Sequence, residues 1–502
     1  MPTNRPDTAH ISADPLRRRI RIVCEFRPGT IETGQSFGLE TAILAGTLKN
    51  LLALRQSEKL GRAERDRVRL AALNALVAHA RSNVALYGEL YRDVDATPLA
   101  DLQALQRLPC VTKDDLLAAF PDRLLARGYD EASLYQIATS GTSNRVMIFH
   151  DEAKRDWDRA ADLIMKYRTE GPGRILTIPP DDCYERCGLN GAQQALSTTL
   201  LEAMASNPGI RAGARREVIS RAANRLLWND VVMPAPGVDG SAVSDDKIDE
   251  YFDAIARTRP DTVRAYPYFF WLFAQRANGR TFAPCSVVRP TGGKATPAMI
   301  DGIERTLGVR YRENYGSAEL GTVSMDDGEH RSQVLFDHLF VVEFIRNGQP
   351  VPEGEAGEVI ITDLRNLACP LIRYRIGDIG RALPRQHDDE QQRFEILGRL
   401  DETVVLPSGD FVTPDELTDT MITTPGAAFS RLIQQGEDRF LIEVAPAAEA
   451  LDEAQLIQRM TEHLGPDASI RVRRVRRIPP EDSGKYRLIR STSFENFHSA
   501  QA

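Results

Sequence analysis

Five short segments hold the residue types from which a phosphate- and carboxylate-handling site is built. The first is Thr139-Ser140-Gly141-Thr142-Ser143, four hydroxyls around one glycine after the apolar stretch Leu134–Ala138. Backbone N–H and side-chain O–H groups in such a loop can cradle a polyphosphate, though an ordinary polar turn has the same composition. The second is Asn314-Tyr315-Gly316-Ser317-Ala318-Glu319, a ring, a glycine turn and a carboxylate. It can stack a base and hold a metal ion near phosphates, or it can be a strand-end turn with a surface acid. The third, Tyr374-Arg375-Ile376-Gly377-Asp378, sets an aspartate after a glycine, suited to two ribose hydroxyls or simply to a tight turn. Gly398-Arg399-Leu400-Asp401 and Ser483-Gly484-Lys485-Tyr486-Arg487 complete the set.

The common nucleotide fingerprints are absent. A Walker loop needs a glycine five positions before Gly-Lys-Ser/Thr. At 292–296 that position is Val288, and Ala295 follows the lysine. The stretch beginning at Gly171 lacks the third glycine of a dinucleotide loop.

The chain between these segments must position them. From Arg62 the spacing of Val68, Leu70, Leu73, Leu76 and Val77 predicts a helix, continued by Tyr87, Leu90 and Tyr91. Thr112 before Asp114 and Asp115 is an N-cap. A strand is predicted at 173–180, 261–273 reads as a strand turning into an aromatic-rich helix, and 285–293 as a strand followed by a glycine turn. Helices are predicted at 246–260, stopped by Pro260, and at 298–308 where Gly308 stops the turn. Strands alternating with helices imply a largely parallel α/β sheet. Beyond about residue 330, strands joined by Gly/Pro turns imply an antiparallel or barrel-like section. A last unit begins near Gly398 and mixes strands with the helix after Glu453.

Composition sets outer bounds. The 502 residues suggest about three structural units at roughly 150 residues each. An apolar share of 42% and a charged share of 27% describe an ordinary globular chain with a large core. A net charge of −8 argues against a whole-molecule nucleic-acid binder. The most apolar helical stretch, Phe37–Leu54, is broken by Glu40 and Lys49, so no membrane span is expected. Residues 1–18 read as a loose polar tail without the apolar core of a signal peptide. Six cysteines in this length are no disulfide framework, which points to a cytoplasmic protein with reduced thiols.

Taken in order, the five segments resemble the adenylate-forming superfamily of acyl-CoA synthetases, and within it the phenylacetate–CoA ligase-like branch. Residues 138–146 look like its phosphate loop, and 290–321 like its Gly-Gly-Glu segment followed by Tyr-Gly-x-Thr-Glu. Residues 373–380 match Tyr-Arg-Thr-Gly-Asp at all but one position, 397–417 resemble the hinge motif, and 479–487 resemble the terminal Ser-Gly-Lys motif. Upstream, 76–91 and 102–116 resemble the branch's N-terminal helix and its Leu-Pro-x-x-Thr-Lys phrase. The likeness spans about 65–490.

The resemblance implies an α/β fold, α+β in parts. A large adenylation domain at 61–397 would follow an N-terminal extension (1–60), with a hinge at 398–401 and a small mobile domain at 402–502 carrying the catalytic lysine. It implies ATP-dependent activation of a carboxylic acid, followed by acyl transfer to coenzyme A. Thr139, Ser140, Gly141, Thr142 and Ser143 would bind phosphates. Tyr315 would stack on adenine beside Gly316 and Ser317, and Glu319 would hold Mg²⁺. Asp378 and Arg399 would serve the ribose, Asp401 the hinge, and Lys485 the reacting carboxylate and α-phosphate. Tyr266, Tyr268, Gly292 and Gly293 fall where the branch has its acyl pocket, suiting an aromatic acid with a polar substituent.

Some positions depart from the pattern. Ala318 replaces a threonine and Lys294 a glutamate; Asn144 and Arg145 replace the end of the phosphate loop, and Ile376 replaces a threonine. These departures keep open an amine, another small nucleophile or a carrier-protein thiol as acceptor, and a degenerate nucleotide-binding protein behind that. Neither a membrane nor a nucleic acid is an expected partner, and a homodimer stays open. Cys183 and Cys187, with His330 and His338, form an incomplete zinc set. The five arginines within 471–477 read as a solvated strand face or as a guide for acidic groups.

Overall fold

The computed structural model describes residues 36–138, 146–169, 171, 173–178, 230–232, 243–328, 332–385, 387, 390–445, 447, 449–481 and 486–492. Contacts divide the chain into residues 1–45 and 46–502. Within the second unit, three main sheets organise the described residues.

The first sheet is parallel, in the order Asp230–Val232, Ile175–Ile178, Thr262–Ala265, Val287–Pro290, Arg310–Tyr311. Its crossovers are the helices Asp245–Thr258, Pro267–Gln275 and Pro297–Leu307, as the alternating pattern predicts. The helix Asp245–Thr258 ends where Arg259 turns left-handed (φ 48°) ahead of Pro260. Gly308, at φ 69°, ends the helix Pro297–Leu307 in the same way. Val263, Val288, Phe270, Phe273, Phe282 and Ile303 fill the space between sheet and helices.

The second sheet is antiparallel. Its order is Ser324–Asp326, Gln333–Leu335, Arg393–Arg399, Tyr374–Ala382, Gly357–Asp363, Phe340–Arg346, Gln349–Pro350. The third sheet runs Ser469–Arg474, Arg439–Val444, Ser430–Gln434, Ile489–Arg490, mixed in direction. The helices Pro414–Ile422 and Glu453–Leu464 share its core through Leu417, Met421, Leu432, Ile442, Leu456 and Met460.

Two details differ from the pattern read along the chain. The first predicted helix stops at Asn83, because Val84 is extended, and a separate short helix Ala85–Leu90 follows. The inward face of the helix Arg62–Asn83 also carries Arg65 and Arg69, while Val68, Leu70 and Val77 are half-buried. Arg65 is neutralised by Asp337 (3.1 Å), and Arg69 reaches Asp66 (3.0 Å) and the Phe340 carbonyl. Buried guanidinium groups need such partners. Thr112 caps its helix as expected, in a reciprocal box with Asp115. Among the described residues no helix is long and apolar enough to cross a membrane.

Candidate active site

Asp378 and Arg399 face each other in register across neighbouring antiparallel strands. The pairing makes their contact local: Arg399 Nη1 donates to Asp378 Oδ1 at 2.8 Å and to the Ile376 carbonyl at 3.3 Å. Gly377 lies between them at φ 82°, and a Cβ there would sit 3.2 Å from the guanidinium. The position therefore favours glycine twice over, for its dihedral and for its lack of bulk. From the other side the Tyr315 hydroxyl donates to Asp378 Oδ2 at 2.6 Å. Burial, reinforced by the Asp378 charge, pushes the Tyr315 hydroxyl well above its ordinary value, so it stays a donor. Each carboxylate oxygen is thus held by one donor, with lone pairs left for a ligand. The Tyr315 ring stands edge-on to Phe394, centroids 5.9 Å apart.

Glu319 lies in the turn of a small hairpin whose arms are Gly316–Ser317 and Gly321–Thr322. The arms close tightly, since a Cβ on Gly316 would fall 2.3 Å from the Gly321 carbonyl oxygen. The Ser317 hydroxyl accepts from Leu320 N at 3.3 Å, so it serves the turn, while Ala318 is exposed. Glu319 is buried, and the Tyr374 hydroxyl donates to its Oε1 at 3.3 Å.

A charged cluster that motif reading missed lies behind this hairpin. Lys154 is only 1% exposed at its side chain, and its ammonium meets Asp158 at 2.9 Å and Asp363 at 2.8 Å. It also donates to the Leu320 carbonyl at 2.8 Å. His150 Nε2 lies 3.0 Å from the Glu319 carbonyl, and its Nδ1 lies 3.4 Å from Asp158. Burial alone would discharge Lys154, but Asp158 and Asp363 outweigh it and hold its pKa above the ordinary value. Burial also opposes ionisation of Asp158, yet Lys154 and His150 bring it down to about 2. The sequence signal was the i, i+4 pair Lys154 and Asp158 on the helix Glu152–Thr169.

The two tyrosines expected in an acyl pocket hold a neighbour of the expected catalytic lysine. The Tyr266 hydroxyl accepts from Tyr486 N at 3.1 Å, and Tyr268 stacks on the Tyr486 ring at 3.8 Å. Gly293 backs this shelf, because a Cβ there would fall 2.7 Å from the Tyr266 ring, and Gly292 turns at φ 76°. Asp401 bonds Arg487, whose Nε lies 3.4 Å from Glu402, and lies 3.7 Å from Arg399 Nε. Lys294 is ion-paired with Asp415. Lys485, the loop Thr139–Ser143, Asn144 and Arg145 lie outside the described residues.

Cys183, Cys187 and His330 also lie outside them. His338 packs its ring 5.2 Å from that of Trp157, and burial drives its pKa down to about 4. No group of three or more metal-ligating side chains occurs among the described residues. The arginines at 471, 473, 474, 476 and 477 are exposed, and Arg473 pairs with Glu443.

No family model matches the chain. A phenylacetate–coenzyme A ligase of Escherichia coli K12 is 25% identical over 356 residues, 68% of this chain and 73% of that protein. A phenylacetate–coenzyme A ligase of Thermus thermophilus is 25% identical over 399 residues, 73% and 76% of the two. A solved 2-hydroxyisobutyryl-CoA ligase, in its postadenylation state, superposes with a TM-score of 0.64 at 19% identity. That match covers 89% of this chain and 94% of the other. The fold is that of this 2-hydroxyisobutyryl-CoA ligase. Sequence relatives of this chain include phenylacetate–coenzyme A ligases and the CapK protein of Staphylococcus aureus, 20% identical over 76% of this chain and 79% of that protein.

Proposed function

We propose that this chain is an AMP-forming acid–thiol ligase that activates a carboxylic acid, of aromatic type, and passes it to coenzyme A. The observation that carries the reading is Asp378 held between Tyr315 and Arg399, with Glu319 bonded by Tyr374 from the same strand as Asp378. A carboxylate fixed by one donor on each oxygen is suited to a vicinal diol, and the ribose of ATP offers one. The named relatives that act on phenylacetate support an aromatic acid.

In the first step a substrate carboxylate oxygen attacks the α-phosphorus, the bond to the β-phosphate breaks, and pyrophosphate leaves. In the second, the thiol sulfur attacks the acyl carbon, AMP leaves as an anion, and the thiol proton goes to solvent or base. Negative charge meets negative charge in the first step, so cations and aimed donors govern its rate. Lys485 supplies the point charge in this reading. Glu319, a carboxylate beside a tyrosine hydroxyl, fits Mg²⁺, which takes one or two protein carboxylates plus phosphate oxygens. When bound, the ion would neutralise phosphate charge. The described cysteines Cys110, Cys285 and Cys369 are free thiols, which supports a cytoplasmic location.

The test is ATP–pyrophosphate exchange over a panel of aromatic, amino-aromatic and aliphatic acids, with Lys485→Ala alongside, followed by thioester detection with coenzyme A. Acid-dependent exchange that the variant loses, and a thioester, are expected. Exchange without thioester, but with amide on adding an amine, would replace coenzyme A as acceptor. Exchange confined to long aliphatic acids would remove the aromatic assignment, and exchange unchanged in Lys485→Ala would overturn the role of that lysine.

A further inference from the structure

Lys294 reverses the charge expected at its position, and the structure gives the reversal a partner. Its ammonium bonds Asp415 at the start of the helix Pro414–Ile422, with side chains 21% and 13% exposed. One turn further on, Asp419 accepts from the backbone N–H of Ala298 through both oxygens, at 3.1 and 3.2 Å. Ala298 is in the first turn of the helix Pro297–Leu307, where N–H groups lack partners within the helix. Asp415 and Asp419, four residues apart, therefore grip Lys294 and a helix N-terminus from one helix face. A glutamate at 294 would set like charges together at the same place.

This grip has company along the same boundary. Trp271 Nε1 donates to the Ala428 carbonyl at 2.9 Å, and Tyr268 meets Phe429 edge-on at 6.2 Å. The boundary ends at Tyr486, stacked on Tyr268 and bonded to Tyr266, directly after Lys485 in the chain. The aromatic contacts are adhesive but weakly directional. The two aspartates provide direction: Asp419 accepts from the first turn of the helix Pro297–Leu307, and Asp415 from Lys294, three residues before that helix.

We propose that Lys294, Asp415 and Asp419 are positioning residues that seat the C-terminal segment so that Lys485 reaches the reacting carboxylate, and so set the rate of adenylation. The proposal rests on the reading of Lys485 given above. In that reading the lysine acts in the first step, so acyl transfer from a ready-made adenylate does not need the seat.

The experiment compares Lys294→Glu, Asp415→Lys and the double exchange in the full chain. Three readouts are taken: ATP–pyrophosphate exchange, thioester formation from synthetic acyl-adenylate, and hydrogen exchange of residues 486–492. Each single variant is expected to slow pyrophosphate exchange by about 30-fold or more, since it buries like charges together. The KM for ATP should stay within about twofold, thioester formation within about threefold, and hydrogen exchange at 486–492 should accelerate. The double exchange should recover most of the loss, and the sparing of thioester formation in the single variants separates positioning from general destabilisation. Single variants with unchanged pyrophosphate exchange, or losses equal in both half-reactions and unrescued by the exchange, would overturn the proposal. If the wild type adenylated no acid, the functional reading would fail by itself. Hydrogen exchange unaltered in the single variants would then sink the seat, and accelerated exchange restored in the double variant would uphold it.

Discussion

Replacing Lys154 by methionine removes one ammonium from the cluster behind the Glu319 hairpin and changes little else in side-chain length. The ammonium has three donors, and the structure matches them with Asp158, Asp363 and the Leu320 carbonyl, all within 2.9 Å. Without it, Asp363, which is fully buried, loses its ion pair, and Asp158, nearly so, keeps the longer contacts to His150 at 3.4 Å and Arg155 at 3.5 Å. Breaking a buried pair in this way costs about 3–5 kcal/mol. The Leu320 carbonyl adds about 1 kcal/mol or more for a lost partner. The loss is expected in urea unfolding of the variant beside the wild type. Asp363→Asn in the Lys154→Met background removes one of the stranded charges, so the double variant should be more stable than the sum of its parents by about 1–3 kcal/mol. A Lys154→Met variant within 1 kcal/mol of wild type, or strict additivity, would refute the claim that the two carboxylates depend on this cation.

Tyr315→Phe removes the hydroxyl that holds Asp378 Oδ2 at 2.6 Å. A hydrogen bond to a charged group is worth about 1.5–3 kcal/mol, so the KM for ATP should rise by about tenfold or more, with kcat less affected. A change below twofold in initial-rate kinetics would show that Asp378 needs no such orientation. Glu313 gives a pH dependence. Burial raises its carboxyl from 4.5 to about 7, against the pull of Lys294 and with Asp415 and Asp326 adding to the rise. Below about pH 4.5 both states hold the proton; between there and about 7 only the folded state does. Stability from this group is therefore full at low pH, is lost as pH climbs through about 7, and is level beyond. Glu313→Gln should remove that fall and gain at most about 3 kcal/mol at pH 8, read from unfolding at pH 5 and pH 8. Parallel pH profiles for the two proteins would contradict it.

What could be read along the chain was what is local in it. The strand–helix alternation of 261–308 marked the parallel sheet because each crossover is short and each stop is chemical: Pro260, the glycine turn at Gly292 and Gly293, and Gly308. Asp378 and Arg399 were legible as separate motifs, and their register across one strand pair makes them neighbours. The cluster at Lys154 was not legible, because half of its charge comes from Asp363, on a different strand far along the chain. Lys294 stood out as a departure, but its meaning required Asp415, 121 positions away. Tyr266 and Tyr268 were expected from the resemblance to line an acyl pocket, and their bonds to Tyr486, 220 positions after Tyr266, could not be read along the chain. Arg65 and Arg69 defeat a pattern that counts only apolar residues, since paired charge can also be buried.

Asp378, Arg399, Asp401 and Arg487 alternate in sign, and each touches the next. Three of their side chains, Arg399 at 49%, Asp401 at 32% and Arg487 at 34%, stay open to solvent. Dissolved salt screens exposed charges over about 8 Å at physiological strength and acts far less on buried ones. Ionic strength is therefore a control that loosens the link between Asp378 and the segment after Lys485 while leaving the Lys154 cluster intact. The chain thus carries two electrical circuits, one insulated and one open to the medium.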